Sequence, residues 1–295
     1  MASRVSAASQ FAVYGPTFLD VVMGPLDGPP VPGREAWVEG ALMCAGGAAN
    51  QAIALARLGA PVCLHSRVGV DQMGVFVDEM LAREGVDTSP CERVGDQNIT
   101  VSLSFDGDRA MTTRGSVDLP PLEGEAPASL LADVRGIASN YAMVTQWRAR
   151  GTWVLADTAW DEAGAWDEAD LEALRLADVC TPNEEEALAY ARTESVEDAA
   201  RWFASFGCDC VVTCGKNGVI ACVDGQILRV PALAVSAVDT TGAGDVFSAA
   251  LAWALRARHA LWPEALALAC AAAAHSTQGI GGSSSAPYAA DLPGA

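Results

Sequence analysis

The clearest chemistry in the chain lies in Asp239-Thr-Thr-Gly-Ala-Gly-Asp-Val-Phe-Ser. Gly242 and Gly244 permit a tight turn that leaves successive backbone N–H groups unobstructed. An apolar helical run from Val246 to Arg258 follows at once, so the partial positive charge of a helix N-terminus adds to those N–H groups. Gly242, Ala243 and Gly244 thereby make an anion cradle that needs no lysine or arginine. Asp245 stands at its mouth, where a carboxylate can take the proton of a hydroxyl attacking a phosphate, a general-base effect of roughly 10²–10⁴-fold. The bland alternative is a glycine turn with an aspartate capping a helix. A dinucleotide-binding turn is a poor reading, because that turn belongs in the first βα unit and this one lies near the C-terminus.

The bulk composition asks for such a cradle. The formal net charge is −19, from 18 basic and 37 acidic side chains. A chain so acidic lacks the basic footprint that nucleic acid or an anionic membrane surface requires. Any phosphate site in it must draw on backbone N–H groups. The nine cysteines are odd in number and scattered through apolar segments, which reads as reduced core thiols in a cytoplasmic protein. Cys208, Cys210 and Cys214 alternate as in a strand and lack Cys/His partners at zinc-finger spacing, so zinc is not expected. The N-terminus lacks a signal-peptide core, and the apolar stretch from Ala265 to Ala274 is too short to span a bilayer.

The elements that must position the turn follow from patterning. A chain of 295 residues with 51% hydrophobic side chains supports one sizeable α/β domain. Phe11 to Tyr14 reads as a first strand stopped by Gly15-Pro16, and Asp27 to Gly33 as loop. Helices are expected over Ala49 to Leu58 and Phe76 to Glu84, each closed by glycine, with a strand from Pro61 to Ser66 between them. After residue 120 the texture is repeatedly βα. Strands fall at Thr152 to Ala156, Val179-Cys180, Val211 to Thr213 and Val219 to Val223. Helices fall at Glu168 to Ala177, Asn183 to Arg192, Val196 to Phe206, Val246 to Arg258 and Pro263 to Thr277. This alternation predicts a mainly parallel central sheet with helices on both faces, in three layers. Ile99 to Phe105 instead alternates apolar and polar, with Asp106-Gly107 as a hairpin turn and Arg109 to Arg114 returning. That pair suits a separate small sheet, joined by Ala36 to Met43. The expected lid therefore comprises segments near 33–44 and 97–117, and its apolar face predicts a covered pocket or a homodimer.

The stretch VDTTGAGDVFSAALAWAL resembles the C-terminal signature of ribokinase-like (PfkB-type) carbohydrate kinases. Ala45-Gly-Gly-Ala-Ala-Asn-Gln-Ala-Ile-Ala-Leu-Ala-Arg-Leu-Gly resembles the family's N-terminal substrate-side motif, and RVGVDQMG and LAREGVDTS are also typical. The resemblance runs from about Phe11 to Pro287. It implies a three-layer ribokinase-like fold with a β-sheet lid, and phosphoryl transfer from ATP, with Mg²⁺ and K⁺, to a hydroxymethyl group of a sugar-like acceptor. Asp20 and Asn50, with the Gly46 and Gly47 backbone, would then bind acceptor hydroxyls. Asn183 and Glu186 would organise Mg²⁺ and phosphate through water, while Thr213, Gly215 and Gly218 would meet the nucleotide. Asp239 and Thr241 would hold a monovalent cation, with His275 and Ser284 completing the loop.

Each of these residues also has a structural reading. Asp20 could cap a turn and Asn50 its own helix; Asn183 and Glu186 could be a simple capping box. Gly215 and Gly218 could be hairpin residues, and Lys216 a solvated loop lysine. The chain also departs from ribokinase itself. Phe18 stands where ribokinase has an asparagine, Gly47 where it has a lysine, and Ala45 where the motif has its first glycine. Ribose is therefore not the default acceptor, and a nucleoside or sugar acid is the alternative within the fold. A non-catalytic nucleotide- or sugar-binding regulator is the rival of another class, against which the intact cradle and Asp245 argue. Asp118 to Thr152 matches the family poorly, and Trp160 follows a strand end where α/β sheets place ligand contacts.

Overall fold

The computed structural model describes residues 11–105, 108–158, 161 and 163–294. Trp160 and the Asp106-Gly107 turn lie outside the described residues. Short, almost wholly apolar segments make the central sheet: β1 (Phe11–Tyr14), β4 (Val62–His65), β9 (Ser129–Asp133), β10 (Trp153–Asp157), β11 (Val179–Cys180) and β12 (Asp209–Thr213). All six run parallel, and their spatial order is β4, β1, β9, β10, β11, β12. Two further strands, β13 (Val219–Val223) and β14 (Gln226–Val230), extend the sheet by antiparallel hairpins. Parallel strands covered on both faces have no polar side to show, which is why FAVY reads as a continuous hydrophobic run and β9 carries Leu-Leu-Ala at its centre.

Alternate side chains of those strands feed two cores. Val13, Leu64, Leu131, Leu155 and Val211 pack against α1 (Ala48–Arg57), α2 (Gln72–Arg83), α7 (Ala243–Arg256) and α8 (Trp262–Ser276). Ala12, Leu130, Ala132, Cys180 and Cys210 face α3 (Val134–Ser139), α4 (Tyr141–Arg148), α5 (Glu184–Ala191) and α6 (Val196–Ala204). The nine cysteines are all free and buried. Among the described residues, no helix is long and apolar enough to cross a membrane.

The lid is a four-stranded sheet in the order β3 (Gly40–Gly47), β2 (Thr17–Leu26), β7 (Asn98–Phe105), β8 (Asp108–Arg114). The expected hairpin and its separation from the main sheet are present. The boundaries near 33–44 are corrected: residues 33–39 form no strand, β3 begins at Gly40, and β2, unseen in the sequence, supplies the lid's second strand. A two-stranded pair, β5 (Arg67–Val68) and β6 (Glu92–Arg93), completes the strands.

The lid is stapled where it leaves the core. Ala48 N–H donates to Pro16 O at 2.9 Å, closing the excursion from β2 to β3. Asn98 closes the other, its Nδ2 donating to Ser116 O at 2.9 Å and its Oδ1 accepting from Ser116 N at 3.0 Å. The expected α-helix from Glu168 to Ala177 is instead a 3₁₀ run, Glu168–Leu176. Leu171 and Leu174, both fully buried, sit three residues apart and eclipse each other at three residues per turn.

Candidate active site

Two helix N-termini converge beneath the lid. Gly47 precedes α1 with φ 63°, and Gly242 precedes α7 in a left-handed conformation with φ 69°. Neither helix has a side-chain cap; Ala48 N–H is taken by Pro16 O and Ala243 N–H by Thr240 O, so the N–H groups that follow them in the first turns are the ones left to an anion. Glycine is needed at 242 for a second reason. A Cβ there would lie 2.7 Å from Gly282 Cα and 3.1 Å from Asn50 Nδ2.

Asp245 is on the first turn of α7. Asn50 Nδ2 donates to its Oδ2 at 2.9 Å, and Gln51 Nε2 donates to its Oδ1 at 3.4 Å. Burial pushes the Asp245 carboxyl up to about 6, and the two amides partly offset that rise. Asn50 does not cap α1, since Gly47 holds the cap position. Its Oδ1 instead accepts from Ser283 N–H at 3.0 Å, tying the C-terminal loop to Asp245.

Asp20 is in mid-strand on β2, paired with Cys44 of β3 and Thr100 of β7, so it caps no turn. Its carboxyl is also pushed up to about 6, first by burial and further by the charge of Asp245, while Thr100 bonding lowers it. It presses on the Gly46 backbone so closely that a Cβ at Gly46 would fall 1.8 Å from Asp20 Oδ2. A Cβ at Gly47 would meet Pro16 O at 2.3 Å and the Phe18 ring at 2.8 Å. Phe18 thus fills the space that a side chain at 47 would use, which explains two of the departures from ribokinase together.

A second group of carboxylates lines the C-terminal ends of the strands. Asp133 and Asp157 end β9 and β10 in direct register. Asp157 is raised well above the ordinary range by burial, then by Glu186, Asp245 and Asp133. Asn183 and Glu186 do form a capping box on α5, with Asn183 Oδ1 accepting from Glu186 N at 2.9 Å and Glu186 Oε2 accepting from Asn183 N at 3.1 Å. Glu186 Oε2 also accepts from Thr158 Oγ1 at 2.5 Å, and burial raises its carboxyl. The capping role therefore holds, and it places Glu186 beside Asp157. Asp157 escaped the sequence reading, although an aspartate ending a parallel strand was a usable signal.

Thr213 bridges to Asn183 across the strand ends. Gly215 and Gly218 turn the chain from β12 into β13, with φ 53° and 86°. The hairpin role holds for Gly218, where a Cβ would lie 2.1 Å from Val230 O, while Gly215 borders open space. Lys216 between them is exposed. Asp239 Oδ1 accepts from Thr241 N at 2.9 Å and Thr241 Oγ1 at 2.7 Å, and its Oδ2 accepts from Gly281 N at 2.9 Å. Ser284 N–H closes the same loop onto Gly281 O at 2.9 Å. His275 lies in the last turn of α8, its carbonyl accepting from Gln278 N–H at 3.1 Å.

The chain resembles known proteins over most of its length. The pattern of the pfkB family carbohydrate kinases matches residues 39–121 and 122–289. A fructokinase of Klebsiella pneumoniae is 34% identical over 281 residues, covering 85% of this chain and 91% of the relative. A ribokinase of Haemophilus influenzae is 31% identical over 261 residues, covering 82% and 83%. The structure of Arabidopsis thaliana ribokinase complexed with ribose and ATP superposes with a TM-score of 0.80 at 24% identity, over 96% of this chain and 97% of that one. With its cradle, its lid and its paired amides in place, this chain belongs to the pfkB family of carbohydrate kinases, phosphotransferases that act on an alcohol group.

Proposed function

We propose that the protein transfers the γ-phosphoryl group of ATP to a hydroxymethyl group of a sugar or sugar-like acceptor, with Asp245 as general base. The observation that carries this is the Asp245 carboxylate, held by two amides at the mouth of the Gly242–Gly244 turn and facing Asp20 of the lid. The acceptor's O–H proton passes to Asp245 as its oxygen bonds phosphorus and the bond to the β-phosphate oxygen breaks, releasing ADP. The N–H groups of the α7 first turn stabilise the charge that develops on the phosphoryl oxygens.

Asp20, Asn50 and the Gly46-Gly47 backbone bind acceptor hydroxyls. Phe18 gives the same pocket an apolar wall, which favours an acceptor with an apolar face over ribose. Nucleotide binding falls to Asn183 and the turn Thr213, Gly215 and Gly218. Among the described residues, no group of three or more His, Cys, Asp or Glu is placed to hold a metal by itself. The raised carboxyls of Asp157 and Glu186 nevertheless fit a divalent cation that keeps most of its ligands as water and phosphate. Mg²⁺ held there by Asp157 and Glu186 would neutralise phosphate charge. Asp239, Thr241 and Ser284, joined through Gly281, fit a monovalent cation such as K⁺.

The lid also pairs two copies into a dimer, covering Met43 and Val101, which share one face of the sheet and are 50% and 36% exposed. Light scattering showing only a monomer at micromolar concentration would remove the dimer. ADP release from MgATP, measured with KCl across ketoses, hexoses, pentoses, sugar acids and nucleosides, tests the kinase itself. Acceptor-dependent turnover that collapses in Asp245→Asn is expected; nucleotide binding without turnover on any acceptor would favour a regulator.

A further inference from the structure

We propose that Gln51 is the positioning residue of Asp245, fixing the orientation of its carboxylate while Asn50 serves the acceptor. The inference rests on the kinase reading of Asp245 and concerns a residue to which that reading gives no part. Asn50 and Gln51 follow each other on the first turn of α1, and α7 crosses so that each amide reaches a different oxygen of one carboxylate. Consecutive helical residues diverge around the axis. Both can reach Asp245 only because its carboxylate lies in the crotch between the two helices.

The two amides are not equivalent. Asn50 is tethered at both ends, to Asp245 and to Ser283 N–H, in the wall of the acceptor pocket beside Gly242 and Gly282. An entering hydroxyl competes for its Nδ2. Gln51 is buried much as Asn50 is, 7% against 4% exposed, but it lies one residue further along α1 and away from the Gly242 and Gly282 contacts that set Asn50 in the pocket wall, so its bond to Oδ1 survives that competition. With Asn50 turned to the acceptor, Gln51 is the side-chain donor that keeps Oδ2 pointed at the proton to be taken. A carboxylate free to rotate about χ2 would present this lone pair for only part of the time.

The same bond opposes burial. The charge of Asp245 reaches Asp20 on β2 and Asp157 on β10, and Asn50 and Gln51 on α1 are its donors. Removing one amide leaves the charged form less supported, so the carboxyl must take up a proton at higher pH.

The test uses Gln51→Met, close in volume and without a donor, and Gln51→Glu, which replaces the donor by a third carboxylate. The direct reading is the titration of Asp245 by NMR of ¹³C-labelled aspartate, assigned with Asp245→Asn. The midpoint is expected to rise by about one pH unit in Gln51→Met, the lower end for loss of one hydrogen bond to a charged group because this one is 3.4 Å long, and further in Gln51→Glu. In turnover, kcat should fall about tenfold in Gln51→Met with KM for the acceptor little changed, and the acidic limb of its pH profile should move with the NMR midpoint. An unchanged midpoint in both folded variants overturns the proposal. So does an equal loss of kcat at every pH that tracks a fall in melting temperature, because that outcome assigns Gln51 to packing. The titration needs no acceptor, so it stands even if turnover is found on none; that result would sink the kinase reading instead.

Discussion

Replacing Asp245 by asparagine should make the protein more stable at pH 8 while removing its activity. The folded chain holds the Asp245 proton up to about pH 6, whereas an unfolded aspartate gives it up near 3.8. A group that binds its proton more tightly when folded contributes most to stability when protonated, and that contribution is lost as pH rises through about 6. At pH 8 the buried charge therefore costs up to about 3 kcal/mol, from roughly two pH units at 1.36 kcal/mol each. Two effects reduce the gain. Asp245 as a residue is only half-buried, and asparagine can accept from only one of the Asn50 and Gln51 amides, which costs about 1 kcal/mol. A net gain of about 1–2 kcal/mol remains, or ~2–3 °C in melting temperature for a chain of this size. Thermal unfolding of both proteins at pH 8 and pH 4 reads it directly. The gain should be present at pH 8 and absent at pH 4, and ADP release should fall by roughly 10²–10⁴-fold. A variant no more stable than wild type at pH 8, or equally stabilised at both pH values, would refute burial of this charge as the cause.

Four further outcomes are expected. The rate at saturating substrates should rise with pH to a plateau above about 6, because Asp245 must be ionised to take the proton; a flat profile from pH 5 to 8 counts against its role. Asp20→Asn should raise KM for the acceptor at least tenfold and leave KM for MgATP within twofold, measured by varying each in turn. Gly47→Ala should destabilise by about 1–3 kcal/mol in urea unfolding, and Phe18→Ala should not rescue it, since the Pro16 carbonyl is the nearer obstacle. Chelating Mg²⁺ should abolish turnover, and Glu186→Gln should raise the Mg²⁺ concentration needed to restore it.

The parts legible in the sequence were those where one physical signal acted alone. The glycine turn before α7, the helix from Ala48 and the run of βα units each follow from local pattern. So does the alternating strand from Asn98 to Phe105, which the central sheet could not have buried. β2 was hidden because Thr17–Leu26 carries Gly24 and Pro25, both punctuation in a sequence, and its pairing partners are remote. β9, α3 and α4 lie between Asp118 and Thr152, where no element was read although the family pattern extends through residues 122–289, and α3 has only six residues. Asp20 and Asn50 were readable as site residues, but their partners were not. The bond from Asn50 to Asp245 spans 195 residues, and nothing local in ANQA specifies it. Gln51 and Asp157 were missed for the same reason: each gains its meaning from a residue on another element.

The staples at the base of the lid bear on how such enzymes change over generations. Both lid excursions leave and rejoin the core at points already bonded together, Pro16 to Ala48 and Asn98 to Ser116. The core thus sees two closed ends, whatever lies between them. Because the entropy of closing a loop grows only with the logarithm of its length, insertions or deletions between those ends cost the core little. Drift in the segment from residue 27 to residue 39, which forms no strand, can reshape the lid without disturbing Asp245. The arrangement around Asp245 can thereby outlast many lids, with new lid shapes arriving as changes of length as readily as changes of side chain.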